Sequence, residues 1–129
     1  MGLQLHYGTG LASMKTPAAV TADTYGTIID LQDYTGEGLI MLNSGAGTAD
    51  SGVTPSLATT LYSCATTGGT YAVVSTSVAF TAVTTAASAQ KVPVDLNACS
   101  RYAKLLCDVT GSGASFTVSA QFLGNERGY

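Results

Sequence analysis

The residues able to do chemistry in this chain are few, and they are scattered. The single histidine, His6, stands in an N-terminal stretch with no Ser or Cys nucleophile motif near it, and no G-x-S-x-G occurs. The carboxylates Asp23, Asp30, Asp33, Glu37, Asp50, Asp95, Asp108 and Glu126 are spread singly. Glycoside hydrolysis needs two of them facing each other across a cleft. Asp30 and Asp33 are close in sequence but fall on opposite faces of a strand. Asp50 sits in a long Gly/Ser/Thr loop, Asn43 to Pro55, where one carboxylate is too few for calcium. No glycine there is followed by Lys-Ser or Lys-Thr, so it is not a phosphate loop. Cys64, Cys99 and Cys107 are an odd set without C-x-x-C spacing, read as small buried hydrophobes, not a zinc site or a disulfide framework. The expectation is a protein that is not an enzyme and holds no cofactor or metal.

The composition limits the partners. At 129 residues the chain makes one domain with a core of its own. Only 10% of residues are charged, against roughly 25% in an ordinary soluble domain. A surface built from Ser, Thr, Gly and Ala instead loses little on desolvation, which points to an outside that faces other protein. The five cations, Lys15, Lys91, Arg101, Lys104 and Arg127, do not cluster, and the net charge is −3, so nucleic acid is not the expected partner. The aliphatic run Leu39 to Leu42 is far short of the about 20 apolar residues of a spanning helix, and no membrane partner is expected. The N-terminus has neither a basic leader nor a sustained apolar stretch, so the chain is expected to stay in the cytoplasm of the cell that makes it.

Period-2 alternation supplies the elements. Val92, Val94 and Leu96 alternate with Lys91, Pro93 and Asp95. Ala103, Leu105, Cys107 and Val109 share one face, with Tyr102, Lys104, Leu106 and Asp108 on the other. Phe116, Val118, Ala120 and Phe122 then oppose Thr117, Ser119, Gln121 and Leu123. The loop Thr110 to Ser115 between the last two runs is rich in residues that tolerate positive φ, and the pattern predicts a terminal antiparallel meander. Earlier strands are expected over 27–34, 39–44, 58–66, 71–74 and 78–83. Leu39 to Ser44, apolar on both faces, reads as a central strand. The sum is an all-β fold, an antiparallel β-sandwich of jelly-roll-like order with about eight short strands. Residues 23–129 form that domain, and residues 1–22, with no sustained period, form an extended N-terminal arm. Leu3 to Tyr7 alternates and suits addition to a neighbour's sheet edge. Leu3, Leu5, His6, Tyr7, Leu11 and Met14 in the arm, with Arg127 and Tyr129 at the other end, are the candidate interface. Deleting residues 1–22 is expected to abolish binding and leave the domain folded.

The terminal half resembles a group of small tailed-phage head proteins, the decoration or cement proteins. The matching residues are Val92-Pro93-Val94-Asp95-Leu96, Arg101-Tyr102 opening a strand, Asp108-Val109-Thr110-Gly111-Ser112-Gly113, and a last strand ending in Leu123-Gly124. Ile29-Asp30-Leu31 and Asn43-Ser44-Gly45-Ala46-Gly47 extend the likeness to about two-thirds of the chain. The resemblance implies a β-sandwich that binds the outer surface of the head in many copies and bridges neighbouring major capsid subunits. It implies no catalytic residues, assembly in the host cytoplasm, and self-association as a dimer or trimer. Two other readings remain: a tail or head–tail connector component, and a carbohydrate-binding module that stacks sugars on some of the seven tyrosines, though the chain lacks Trp.

Overall fold

Alternating burial along the long strands sorts the chain into two antiparallel sheets, in a computed structural model that describes residues 9–74 and 78–126. The strands are β1 (Thr9–Val20), β2 (Thr24–Tyr25), β3 (Ile29–Asp30), β4 (Tyr34–Ser44), β5 (Ser56–Cys64), β6 (Ala72–Val73), β7 (Ser88–Asp95), β8 (Tyr102–Thr110) and β9 (Phe116–Glu126). The first sheet runs β1-β9-β4-β7 and the second β2-β8-β5-β6, with β3 also on β8. Tyr25 pairs with Leu106 and Ile29 with Ala103, so β2 and β3 are two pieces of one broken strand along β8. Counted as one, they leave eight strands in the order of a jelly roll. The fold is the expected all-β sandwich.

The core is the layer between the sheets. From the first sheet come Met14, Ile40, Leu42, Val94, Phe116, Val118, Ala120 and Phe122; from the second come Leu57, Leu61, Ala103, Leu105 and Cys107. Phe122 is only 1% exposed because its ring lies against Gly38 and Gly124, where an added Cβ would collide with it. β4 is central, as its two apolar faces predicted, with β9 on one side and β7 on the other.

The last three runs are strands, but they do not make a meander. β7 pairs with β4, β8 with β5, and β9 with β1 and β4. A 3-10 turn at Leu96–Ala98, capped by the Asp95 carboxylate accepting from the Asn97 N–H at 3.0 Å, takes the chain across to the second sheet. The 111–115 loop takes it back, with Gly111 at φ 117° and Gly113 at φ 68° supplying the left-handed turns. Alternation alone cannot separate the two arrangements, since strands in facing sheets share one inward period. The 78–83 segment is likewise no strand. It touches the second sheet at one bridge, Val83 to Leu57, while the Gln90 side-chain amide holds both the N–H and the C=O of Thr81 at 2.8 Å.

The described part of the expected arm is built into the sandwich. Thr9–Val20 is β1, paired along β9, with Met14 0% and Val20 2% exposed. Register shifts between Ser13 and Lys15 and between Lys15 and Ala18 break its alternation, which is why no period shows in the sequence. β1 and β7, the outer strands of the first sheet, carry Pro17 and Pro93. The second sheet ends in strands of two residues. Both devices blunt a sheet edge against strand addition, so the sandwich offers faces rather than edges to a partner.

Met14→Ala should cost about 2–5 kcal/mol in urea unfolding, while Leu11→Ala, at a 59% exposed position, should stay within about 0.5 kcal/mol. Removal of residues 1–22 takes a strand and two core side chains with it, so the truncated chain should lose cooperative unfolding. Equal stability of the two Ala variants would restore the view of a dispensable arm.

Candidate interaction surface

Among the described residues, the outward side chains of β8 and β5 build a surface of interlocked side chains. Register sets Lys104 opposite Tyr62, Leu106 opposite Thr60, and Tyr102 opposite Cys64. β6 adds Val73 beside Tyr62, and β2 adds Tyr25 beside Leu106. The Lys104 ammonium lies 3.9 Å from the centre of the Tyr25 ring and 4.1 Å from that of Tyr71. Tyr25 meets Tyr62 edge to face, with centroids 5.9 Å apart. Tyr25, Tyr62, Tyr71 and Lys104 thus form a pinned cluster, with Tyr102 two residues along β8 on the same face: each cation–π contact is worth about 0.5–1 kcal/mol at such a half-exposed site. The Tyr71 hydroxyl donates to the Thr67 carbonyl at 3.1 Å, and partial burial, before any neighbouring charge, pushes its phenol up.

Charge at the margin is fixed in pairs. Arg101 donates from Nε (3.1 Å) and Nη2 (2.9 Å) to the two carboxylate oxygens of Asp30 and stacks over Tyr102 at 4.9 Å. That bond, then the Gln32 N–H, holds the Asp30 carboxyl below its ordinary range. Both partners are open to water, 46% and 41% exposed in their side chains, so the pair adds little stability. What it does is hold the guanidinium over the Tyr102 ring. At the far end of β8, Asp23 accepts the Val109 N–H at 3.0 Å, and a hydrogen bond with Asp23 raises the Asp108 carboxyl, followed by like-charge repulsion.

A pocket of about 270 Å3 beside this face is lined by Leu31, Tyr34, Leu96, Cys99 and Arg101 among others. It holds a thiol and a phenol, but burial first, then the charge of Asp95, pushes the Cys99 thiol up, the opposite of what a nucleophilic thiolate needs. Burial likewise raises Tyr34. The three cysteines are free, and burial raises Cys107 too. Among the described residues, no three His, Cys, Asp or Glu side chains are grouped to hold a metal.

Of the candidate interface residues, Leu3, Leu5, His6, Tyr7, Arg127 and Tyr129 lie outside the described residues. Leu11 is exposed on the outer face of the first sheet, and Met14 is in the core rather than at a surface. The tyrosine cluster was not among the candidates. Its members come from β2, β5, β8 and the turn before β6, and only the strand order gathers them. The one trace of it in the sequence is the outward parity of Tyr102 and Lys104.

No protein-family model and no curated protein matches the chain. Among solved structures, a chain in the structure of the infectious bursal disease virus Gt strain superposes with a TM-score of 0.57 over 94% of this chain, at 12% identity. A chain of the infectious bursal disease virus VP2 subviral particle gives a TM-score of 0.48 over 93%, at 17% identity. The chain spans about a third of the length of these structures, 34% and 33%. At 12% identity the first superposition establishes a shared fold.

Asp108→Asn should raise Tm at pH 7 by roughly a degree or two, because the amide donates to Asp23 without adding charge. The raised Asp108 carboxyl is a group whose protonated form the fold favours. Its stabilising contribution is therefore present at low pH and lost as pH rises through the raised value. The gap between the variant and the wild type should accordingly close as pH falls toward 4, followed by thermal melts across that range. A gap that widens on acidification would contradict the carboxyl pairing.

Proposed function

We propose that this protein is a virion structural protein that acts without catalysis, binding the outer surface of a tailed-phage head as a decoration or cement protein. In this reading it bridges neighbouring major capsid subunits and is assembled in the host cytoplasm. The observation that carries the reading is the aromatic face of the second sheet. Tyr25 (49% exposed), held together with Tyr71 by Lys104, and Val73 (58% exposed) stand open on that face. Large amphipathic side chains held in place before contact lose little entropy on binding, and tyrosine is among the residues that dominate protein interfaces. The sandwich fold shared with a chain from a virus structure supports the same reading.

The blunt edges matter to the mechanism. A protein held by face contacts binds reversibly and in register with its neighbours, without templating further strands. Each contact is modest after the cost of association, about 800 Å2 per partner in a standard interface. Repetition over many symmetric sites then resists the outward pressure of packed nucleic acid. A tail or connector position would use the same face.

The tyrosines are also the observation that favours a carbohydrate-binding module. Against it, the Lys104 ammonium occupies one face of both Tyr25 and Tyr71, where a sugar ring would stack.

Purified chain should sediment with empty heads to a saturating occupancy. Tyr25→Ala with Tyr62→Ala should weaken that binding by at least about tenfold, with the melting temperature held within a few degrees. Absence of co-sedimentation together with saturable, tyrosine-dependent binding on a glycan array would overturn the capsid reading in favour of the module.

A further inference from the structure

The outer face of the first sheet carries a different pattern. Leu11 stands opposite Leu123, Leu123 opposite Leu39, and Leu39 opposite Pro93. One apolar row therefore crosses all four strands. The next outward row is Ser13, Gln121, Met41 and Lys91. Beyond it the surface sinks into a groove of about 440 Å3, walled by Pro17, Asn43, Ala87, Ala89, Thr117 and Ser119 among others. A single exposed leucine is ordinary on a protein surface. An apolar ridge in which exposed Leu11 and Pro93 flank half-buried Leu123 and Leu39, beside a shallow groove lined from all four strands, is not.

Ridge and groove lie on one face, centred about five residues apart along β4, or roughly 16 Å at 3.3 Å per residue. A two-fold axis parallel to the face and passing near Met41 lays the ridge of each copy over the groove of the other. The contact is made twice, as an isologous interface requires. An engineered cavity of about 150 Å3 takes a benzene-sized group, so the groove has room for more than one leucine side chain. Between ridge and groove the polar groups are neutral apart from Lys91. That residue is on the edge strand β7, where a long stem lets the ammonium stay in water at the rim.

The area decides the strength. Four strands about 4.8 Å apart and eight residues long cover roughly 500 Å2, or about 1,000 Å2 over two copies, the lower bound of a specific interface. Strand addition cannot compete, because Pro17 and Pro93 interrupt both edges of this sheet. An anionic membrane surface is disfavoured too, since a polybasic cluster would be needed and Lys91 stands without one.

We infer that a second copy of this chain docks on the outer face of the first sheet, ridge into groove in both directions, to form a weak back-to-back dimer. The dimer leaves both tyrosine faces pointing outward on opposite sides. It thereby converts a protein with one aromatic face into a bivalent one, able to span two sites at once.

The test is sedimentation velocity of the full chain from about 1 μM to about 1 mM, with a monomer–dimer midpoint expected at tens of micromolar. Leu11→Asp on the ridge and Ala89→Arg in the groove should each move that midpoint up by at least about tenfold, 1.4 kcal/mol. Both positions are exposed, and circular dichroism melts check that the fold is kept. Tyr25→Ala, on the opposite face, should leave the midpoint where it is. A monomer throughout the range overturns the inference, as does a dimer that ignores both charged variants or yields to Tyr25→Ala. Head binding is not read in this experiment, so its outcome leaves the capsid reading to stand or fall by co-sedimentation.

Discussion

One apolar layer, pressed between β8 and β9, holds this fold together. The two strands are consecutive in the chain yet lie in opposite sheets. Ala103, Leu105 and Cys107 of the first therefore face Phe116, Val118, Ala120 and Phe122 of the second across the thickness of the sandwich. The other long strands are hung on these two, β1 and β4 on β9 and β5 with the broken strand on β8, and β7 follows at one remove through β4. The 111–115 loop that joins them is itself tied down. The Ser112 hydroxyl donates to the Asp50 carboxylate at 2.9 Å, and the Asp50 N–H donates to the Ser112 carbonyl at 3.0 Å. So the Asn43 to Pro55 loop, which the sequence marks only as long and rich in Gly, Ser and Thr, serves as a clasp over the turn that links the two halves of the core.

With that layer in place the two outer faces are left to differ. On the second sheet, aromatic rings gather around a cation; on the first, aliphatic side chains gather into a row. The second face keeps its charges paired, Arg101 with Asp30 and Asp108 with Asp23, or stacked on rings as Lys104 is, and the first carries Lys91, Glu37 and Asp95 along its β7 side. Desolvating such faces costs little, so modest contact areas suffice for association. The low charged fraction of the chain would invite aggregation if the edges were open. The prolines of β1 and β7 and the two-residue strands of the second sheet close that route.

Much of this was legible in the amino acids, and the limits have physical causes. Alternation located β5, β7, β8 and β9 to within a few residues. β4 begins at Tyr34 rather than Leu39, and only Ile29–Asp30 of the expected 27–34 strand forms, because a register shift between Thr35 and Leu39 breaks the period there. β1 escaped because two bulges shift its register within twelve residues. The terminal meander was misread because strands that face each other across a core obey the same inward rule as strands side by side. Gly111 and Gly113 announced a turn, but a turn does not say which sheet receives the next strand. The tyrosine cluster and the leucine row were invisible for a related reason. Tyr25, Tyr62 and Tyr102 are far apart along the chain, as are Leu11, Leu39 and Leu123, and cross-strand register alone makes them neighbours. Leu11 stood among the candidate interface residues; the residues beside it in the row did not.

The pairing of Thr9 with Asn125 sets the first and last described strands side by side, about 5 Å apart between Cα atoms. The strand that opens the described fold and the strand that closes it are therefore zipped to each other, and the exposed turn over residues 66–70 is a place where the backbone can be cut without breaking a long strand.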